Sequence, residues 1–350
     1  MTSDVTAGEP SEAQQQAMQS TAQMMSMITG YWVTQILRTA AELGVADHLA
    51  QRPLTAAELA EIVGSDPEAT FRFLRACAAL GLATPDDELR FTSTPLLDTL
   101  RTGVPHSLRD IALVHGSPGH WLPWAHLPEA VRAGKPQTEI ALGMDIWDHF
   151  AANPTEGDRF FSSMTELTAG LSTEVAQLID TSDVTVAVDV GGANGSLLHA
   201  LMGADDALRG VVLDLPGIEE SARAEAEKVG LSDRITVVGG SFFDSVPQGD
   251  LLLLKAVLHN WDDEACVNIL RKCREALNPG GRVVVVEMPL GPVGAPGFAP
   301  LLDLNMLAVL PGRERELSHY EALFTAAGLR GTKVTPTSSP QCLIEAVVGP

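Results

Sequence analysis

Three side chains stand at spacings that suit chemistry on a small organic ligand: Asp189, Asp214 and His259. Asp189 precedes a glycine-rich turn, Gly191-Gly-Ala-Asn-Gly195, which follows an apolar run and opens a helical stretch. Glycine lets the backbone turn sharply and lets a ligand come close. The turn is not the dinucleotide fingerprint GxGxxG. After Gly191, that pattern wants Gly where Ala193 stands and Gly or Ala where Ser196 stands. Asp189 would also repel a diphosphate at this turn, whereas it attracts an ammonium or a sulfonium. Asp214 ends the next apolar run, 23 residues after Gly191. A carboxylate there accepts from both hydroxyls of a ribose, as in many nucleotide sites. The alternative is an N-cap ahead of Pro216. His259 lies in Leu258-His-Asn-Trp-Asp262, just past the fourth strand-length apolar run. In an open parallel sheet, ligands bind beyond the carboxyl ends of the strands. On residues alone, His259 competes with a plainer reading, a core or capping residue ahead of Asp262 and Asp263.

Such residues need a scaffold to bring them together. Past Asp180, apolar runs at 185–190, 210–213, 234–238, 250–255 and 282–287 alternate with helical stretches at 196–202, 216–229 and 262–277. That alternation predicts an α/β, doubly wound domain with a parallel sheet covered on both faces. Asn278-Pro-Gly-Gly281 reads as a helix stop that turns into the next strand. The first half reads as helical. A single helix is expected at 30–49, and Thr55-Ala-Ala-Glu58 is a capping box. Asp66-Pro67 starts a helix at 67–80. Segments 81–84 and 88–92 flank Pro85-Asp-Asp87 as a small hairpin, and three helices plus a ribbon make a winged helix. Between 104 and 178 the pattern stays helical, with Trp121, Trp124, Trp147, Phe150, Phe160 and Phe161 as core or pocket lining.

Composition narrows the partners. The chain has 350 residues, 45% hydrophobic, enough for a buried core, and a net charge of −22 that repels phosphate backbones and anionic membranes. The helix at 67–80 carries only Arg72 and Arg75, and the ribbon carries Asp86, Asp87 and Glu88. That is the wrong charge for a DNA groove, so the winged helix reads as a dimerisation element. Cys77, Cys266, Cys273 and Cys342 form no CxxC pair and no zinc-ligand spacing. Reduced thiols and a cytoplasmic setting are expected. There is no signal-peptide pattern and no apolar run of about 18 residues that would span a membrane. The histidines pair with no nearby carboxylate cluster, so no metal is expected.

Five motifs occur in order: Asp189-Val-Gly-Gly-x-x-Gly195, Leu213-Asp-Leu-Pro216, Val238-Gly-Gly-Ser-Phe-Phe243, Lys255-x-x-Leu-His-Asn-Trp-Asp-Asp263 and Asn278-Pro-Gly-Gly281. Together with the helical first half, the set resembles the S-adenosylmethionine-dependent O-methyltransferases of the plant caffeic acid and hydroxyindole type. It is similar, too, to their actinobacterial relatives that tailor natural products. The resemblance covers nearly the whole chain. Residues 1–16, polar and featureless, read as a flexible tail. The resemblance implies a winged-helix dimerisation domain at 17–104, a helical linker at 105–180 contributing to the acceptor pocket, and a Rossmann-like methyltransferase domain at 181–350. It implies a homodimer, S-adenosylmethionine as methyl donor and no metal. Asp189 and Gly191 would face the donor's amino-acid part, Asp214 its ribose and Phe242 its adenine, with Lys255 near adenine or ribose. The family usually has Asp where Ser241 stands. A hydroxyl can meet the adenine amine directly or through water, and Asp244 is the other candidate.

The resemblance further implies that His259 is the base for a hydroxyl on a small aromatic acceptor. A phenol has a pKa of about 10 and an imidazole about 6.5, so the proton would move as the new bond forms. Glu287 and Glu314 match the family's partners of this histidine, to orient the ring and stabilise its charged form. Asn260 departs from the Asp that plant relatives carry. Met164, Met306 and Leu310 match acceptor-pocket positions, and Trp147 and Phe161 join them as aromatic candidates. Two other functions fit the fold: a hydroxylase or decarboxylase in which the donor is structural, and a winged-helix regulator.

Overall fold

A computed structural model describes residues 11–349 of the chain. They form two units, divided between Gly116 and Ser117.

The first unit runs α1 (Glu12–Ile28), α2 (Gly30–Glu42), α3 (Val45–Gln51), α4 (Ala56–Val63), α5 (Pro67–Ala79), β1 (Ala83–Pro85), β2 (Phe91–Ser93), α6 (Pro95–Asp98) and α7 (Arg109–His115). The segment 1–16, expected as a flexible tail, departs from that reading where it is described. Ser11 Oγ accepts from Gln14 N at 3.4 Å and the Gln14 side chain accepts from Ser11 N at 2.8 Å, a capping box that starts α1. Positions 1–10 lie outside the described residues. The single helix expected at 30–49 is two, because Gly44 adopts a left-handed φ of +61° between α2 and α3. Thr55 and Asp66 cap α4 and α5, accepting from Glu58 N at 3.2 Å and Ala69 N at 2.8 Å. The ribbon pairs antiparallel, Ala83 opposite Ser93, and Leu54 bridges to Phe91. Leu49, Leu59, Leu74, Phe91 and Leu97 form the centre of this unit's core, and α1 contributes no buried residue to it.

The second unit begins with α8 (Pro118–Ala125), α9 (Leu127–Ala133), α10 (Thr138–Leu142), α11 (Ile146–Ala152) and α12 (Pro154–Leu178). It continues through β3 (Val186–Val190), α13 (Ser196–Ala204), β4 (Arg209–Asp214), α14 (Glu219–Lys228), β5 (Ile235–Gly239), β6 (Gly249–Lys255), a 3-10 turn (Leu258–Asn260) and α15 (Asp263–Ala276). It ends with β7 (Leu277–Glu287), α16 (Ala299–Val309), α17 (Leu317–Ala327), β8 (Leu329–Pro336) and β9 (Cys342–Val348). Among the described residues these strands form a seven-stranded sheet ordered β5-β4-β3-β6-β7-β9-β8. Helical cover on both faces buries Leu251 to Leu254 and Val283 to Val285 completely, as their uninterrupted apolar runs require.

The sheet is mixed rather than purely parallel. β3 to β7 run parallel, whereas β9 pairs antiparallel with both β7 and β8. β8 escaped the apolar-run reading because it is an edge strand, exposed along most of its length. Asn278 to Gly281, expected as a turn before the strand, lie within β7 as an irregularity: Leu277 pairs with Gly249, and the next partners are Arg282 and Leu251. The strand order reverses between β3 and β6, which opens a crevice at their carboxyl ends. All four cysteines are free and buried.

Candidate active site

The crevice is walled on one side by the loop after β3. Gly191 and Gly195 adopt left-handed φ values of +71° and +80°, and Ala193 is held at +49°. That loop is held from β4. Asp214 Oδ2 accepts from Ala193 N at 2.8 Å, and Oδ1 accepts from Leu215 N at 2.7 Å. Asp214 therefore braces two loops at the crevice and does not cap α14, whose N-cap is Ile218. A side chain at Gly192 would run into the carboxyl of Asp189, its Cβ 2.6 Å from Asp189 Cγ. Burial pushes the Asp189 carboxyl up to about 7, against the pull of Lys255 and together with Asp214. Lys255 ends β6, donates to Thr168 Oγ1 of α12 at 2.7 Å, and is made less basic by its burial, which outweighs Asp189. A buried carboxylate this costly to ionise is relieved by a cationic group in the crevice.

A single cleft brings most of the candidate residues together. Asp189, Gly191, Asp214, Ser241, Phe242 and Lys255 line one part of it. Trp147, Phe161, Met164, His259 and Asn260 line the rest. Ser241 Oγ accepts from Phe243 N at 3.2 Å, which leaves its hydroxyl hydrogen for a ligand. Phe160, Thr168 and Trp261 also face the cleft. Sequence reasoning had Phe160 among the aromatics expected as core or pocket lining and gave Thr168 and Trp261 no site role. The spacing Phe160-Phe161-x-x-Met164-x-x-x-Thr168 along one long helix was the available signal. Phe160 stacks on Phe150 with ring centroids 4.8 Å apart, and Trp261 meets Phe243 edge-on at 4.8 Å. Met306 and Leu310 do not line the cleft. They are buried in an apolar cluster with Ile146 and Phe150, where α16 packs on α8 and α9.

His259 projects from the 3-10 turn after β6. Its Nδ1 donates to Glu314 Oε1 at 2.8 Å and lies 3.8 Å from Glu287 Oε2. A carboxylate only accepts, so the ring proton sits on Nδ1 and leaves Nε2 free when the ring is neutral. Glu287 ends β7, and its Oε1 accepts from Val257 N at 3.2 Å and His259 N at 3.3 Å. Glu314 N donates to Asp303 Oδ1 at 2.9 Å. Both glutamates are buried, 2% exposed each, behind the imidazole. Burial works against a charged imidazole, but the Glu287 charge and the Glu314 hydrogen bond and charge outweigh it and raise His259 to about 9. Burial in turn pushes the Glu287 carboxyl up, against the His259 charge. His259, Glu287 and Glu314 also offer three ligand-type atoms within 4.8 Å of one another. As they stand, Glu314 holds the His259 ring and Glu287 holds the His259 backbone N–H.

An open α/β sheet with a glycine turn, an acidic residue ending its second strand and a carboxylate-backed histidine at the switch point defines a small-molecule-binding enzyme of the nucleoside-cofactor class. The family model of the O-methyltransferase domain matches residues 124–330, and that of the O-methyltransferase dimerisation domain matches residues 25–103. The chain belongs to the S-adenosylmethionine-dependent O-methyltransferases. It is 36% identical over 328 residues to a phenazine O-methyltransferase of Lysobacter antibioticus, covering 92% of this chain and 95% of that one. A solved mitomycin 7-O-methyltransferase superposes with a TM-score of 0.90 at 31% identity, covering 95% and 100% of the two chains. An O-methyltransferase from neocarzinostatin biosynthesis, solved with S-adenosylmethionine and 2-hydroxy-5-methyl naphthoic acid, superposes at 0.80 and 34% identity, covering 90% and 96%. Among the described residues no helix is long and apolar enough to cross a membrane.

Proposed function

We propose that the chain methylates a phenolic hydroxyl of a small aromatic natural product or precursor, with His259 as general base. The observation that carries this reading is the 2.8 Å bond from His259 Nδ1 to a fully buried Glu314, on a ring that also lines the cleft. The donor supplies an electrophilic methyl on a sulfonium. In this reading Asp189 and Gly191 meet its amino-acid end, Asp214 its ribose, and Ser241 and Phe242 its adenine, with Lys255 at adenine or ribose. The buried Asp189 carboxyl and the lack of room at Gly192 support a cationic ligand held close to the backbone. Trp147, Phe160, Phe161 and Met164 offer flat and polarisable faces to an aromatic acceptor. The named acceptors of the relatives, phenazine and naphthoic acid among them, are aromatic as well.

The residues then divide the work. Glu314 fixes the ring so that Nε2 meets the acceptor's proton. The two carboxylates raise the imidazole's basicity towards that of a phenol, about 10, so proton transfer in the transition state is close to balanced. A cationic ligand sharing the cleft displaces the resting proton from the ring. After transfer, Glu287 and Glu314 stabilise the imidazolium.

The molecule acts as a homodimer joined through the first unit, in a cytoplasmic setting and without a nucleic-acid partner. Support comes from α1, none of whose residues is buried, with Met18, Met24, Met25, Met27 and Ile28 all exposed. The acidic ribbon supports the absence of a nucleic-acid partner. Incubation with methyl-labelled S-adenosylmethionine and a panel of hydroxylated benzoates, naphthoates and phenazines is expected to label a hydroxyl oxygen. Label on none of them overturns the acceptor class.

A further inference from the structure

We infer that Arg315 is a positioning residue for the reaction, acting through His259. This rests on the reading of His259 as the base. Arg315 is completely buried, and each of its five N–H donors has a partner. Nη1 donates to Leu258 O at 2.9 Å and to Arg313 O at 3.3 Å. Nη2 donates to Trp261 O at 2.7 Å and to Asp263 Oδ1 at 2.8 Å, and Nε donates to the same oxygen at 3.0 Å. Leu258 and Trp261 bracket His259. One planar fork therefore holds both ends of the four-residue turn that carries the imidazole.

The same segment touches that turn twice more. A Cβ on Gly312 would run into the His259 carbonyl and the Asn260–Trp261 peptide, so the two backbones are packed against each other. Glu314, next to Arg315, holds the ring itself. The segment is anchored elsewhere: Leu290 N donates to Arg315 O at 3.0 Å, and Glu314 N donates to Asp303. Ring and turn are thus gripped by one stretch of chain, with Glu314 setting the ring's angle and Arg315 setting the turn's place. A lysine has three donors and no planar fork, so it cannot reproduce these five bonds. A displacement of about 1 Å at a reacting group can cost about 10²-fold in rate. The guanidinium also brings a positive charge to a group with two buried carboxylates, restraining the basicity of His259.

The test compares Arg315→Lys, Arg315→Met and Asp263→Asn with the parent chain. Folding is followed by thermal unfolding and by affinity for S-adenosylhomocysteine, which does not use the base. The imidazole of His259, assigned by its loss in His259→Gln, is followed by NMR as pH is raised. The parent is expected to show a downfield Nδ1 proton and to titrate near 9. Arg315→Lys keeps the charge and is expected to titrate near the parent but to lose the downfield proton. Arg315→Met loses the charge as well and is expected to titrate higher. Asp263→Asn, altered at a half-exposed site, loosens the fork without emptying the core and is expected to weaken the downfield signal. With a phenolic acceptor, turnover falls about 10-fold or more in Arg315→Lys while S-adenosylhomocysteine affinity stays within about 2-fold. Folded Arg315→Lys with the parent's downfield proton and turnover overturns the inference. If the Arg315 variants fail to fold, an unchanged signal in Asp263→Asn overturns it instead. The downfield proton reads the clasp whether or not His259 is the base. Unchanged turnover in His259→Gln is the separate result that would remove the base.

Discussion

At the scale of single residues, the site turns on how an imidazole is made basic without being made useless. His259 carries a proton below about 9, and a protonated ring accepts no other. Turnover is therefore expected to rise with pH towards that value. Glu314→Gln withdraws one of the two charges that raise the ring, so the rising limb moves to lower pH, and the maximal rate falls because Nδ1 loses its anchor. A pH profile of kcat/KM for the two proteins checks both shifts. His259→Ala is expected to lower kcat on the order of 10²–10⁴-fold, with binding of S-adenosylhomocysteine nearly unchanged by calorimetry. His259 was open to reading from sequence because it lies in one of the five ordered motifs, whereas Glu287 and Glu314, 28 and 55 positions further on, came only through the family resemblance. Arg315 was not, because an arginine in Arg313-Glu-Arg-Glu316 looks like solvated surface until its five donors are placed. Ser241 was legible as a departure, and its turn with Phe243 explains how a hydroxyl is held there.

At the scale of elements, the glycines mark where the backbone itself is part of the site. Gly312→Ala would press a methyl group into the peptide after His259. The expected outcome is a loss of about 1–3 kcal/mol in denaturant unfolding, with a fall in kcat larger than that in the affinity for S-adenosylhomocysteine. Sequence patterns located β3 to β7 because their apolar runs are unbroken. They missed β8, whose exposed face interrupts the pattern, and β9, although it is mostly buried, and they merged α2 with α3 because one left-handed glycine is silent in a periodicity. Met306 and Leu310 show a different limit. Motif matching finds positions, but whether they reach the cleft depends on packing: α16 lies against α8 and α9, and none of its residues lines the cleft.

At the scale of the whole molecule, charge was legible in the sequence and the first helix was not. The polar stretch that hid the start of α1 also hid its consequence, a helix of 17 residues that buries nothing in its own unit. Tertiary packing of an apolar face normally stabilises such a helix. Removal of residues 1–28 is expected to lower the sedimenting mass from about two chains to one, each close to 37.1 kDa in the parent. A parent that already sediments as a single chain would contradict the dimer.

The four buried cysteines make the protein its own reporter of breathing. Burial pushes the thiols of Cys77, Cys266 and Cys273 up to about 12 and that of Cys342 up to about 11, far from the thiolate that alkylating reagents need. Cys77 belongs to the first unit and the other three to the second. Maleimide uptake at each position, read by mass spectrometry over time, therefore clocks how often each unit opens. Simultaneous uptake at all four would mean that the two units come apart as one. Earlier uptake at Cys77 would show the first unit opening while the second stays closed.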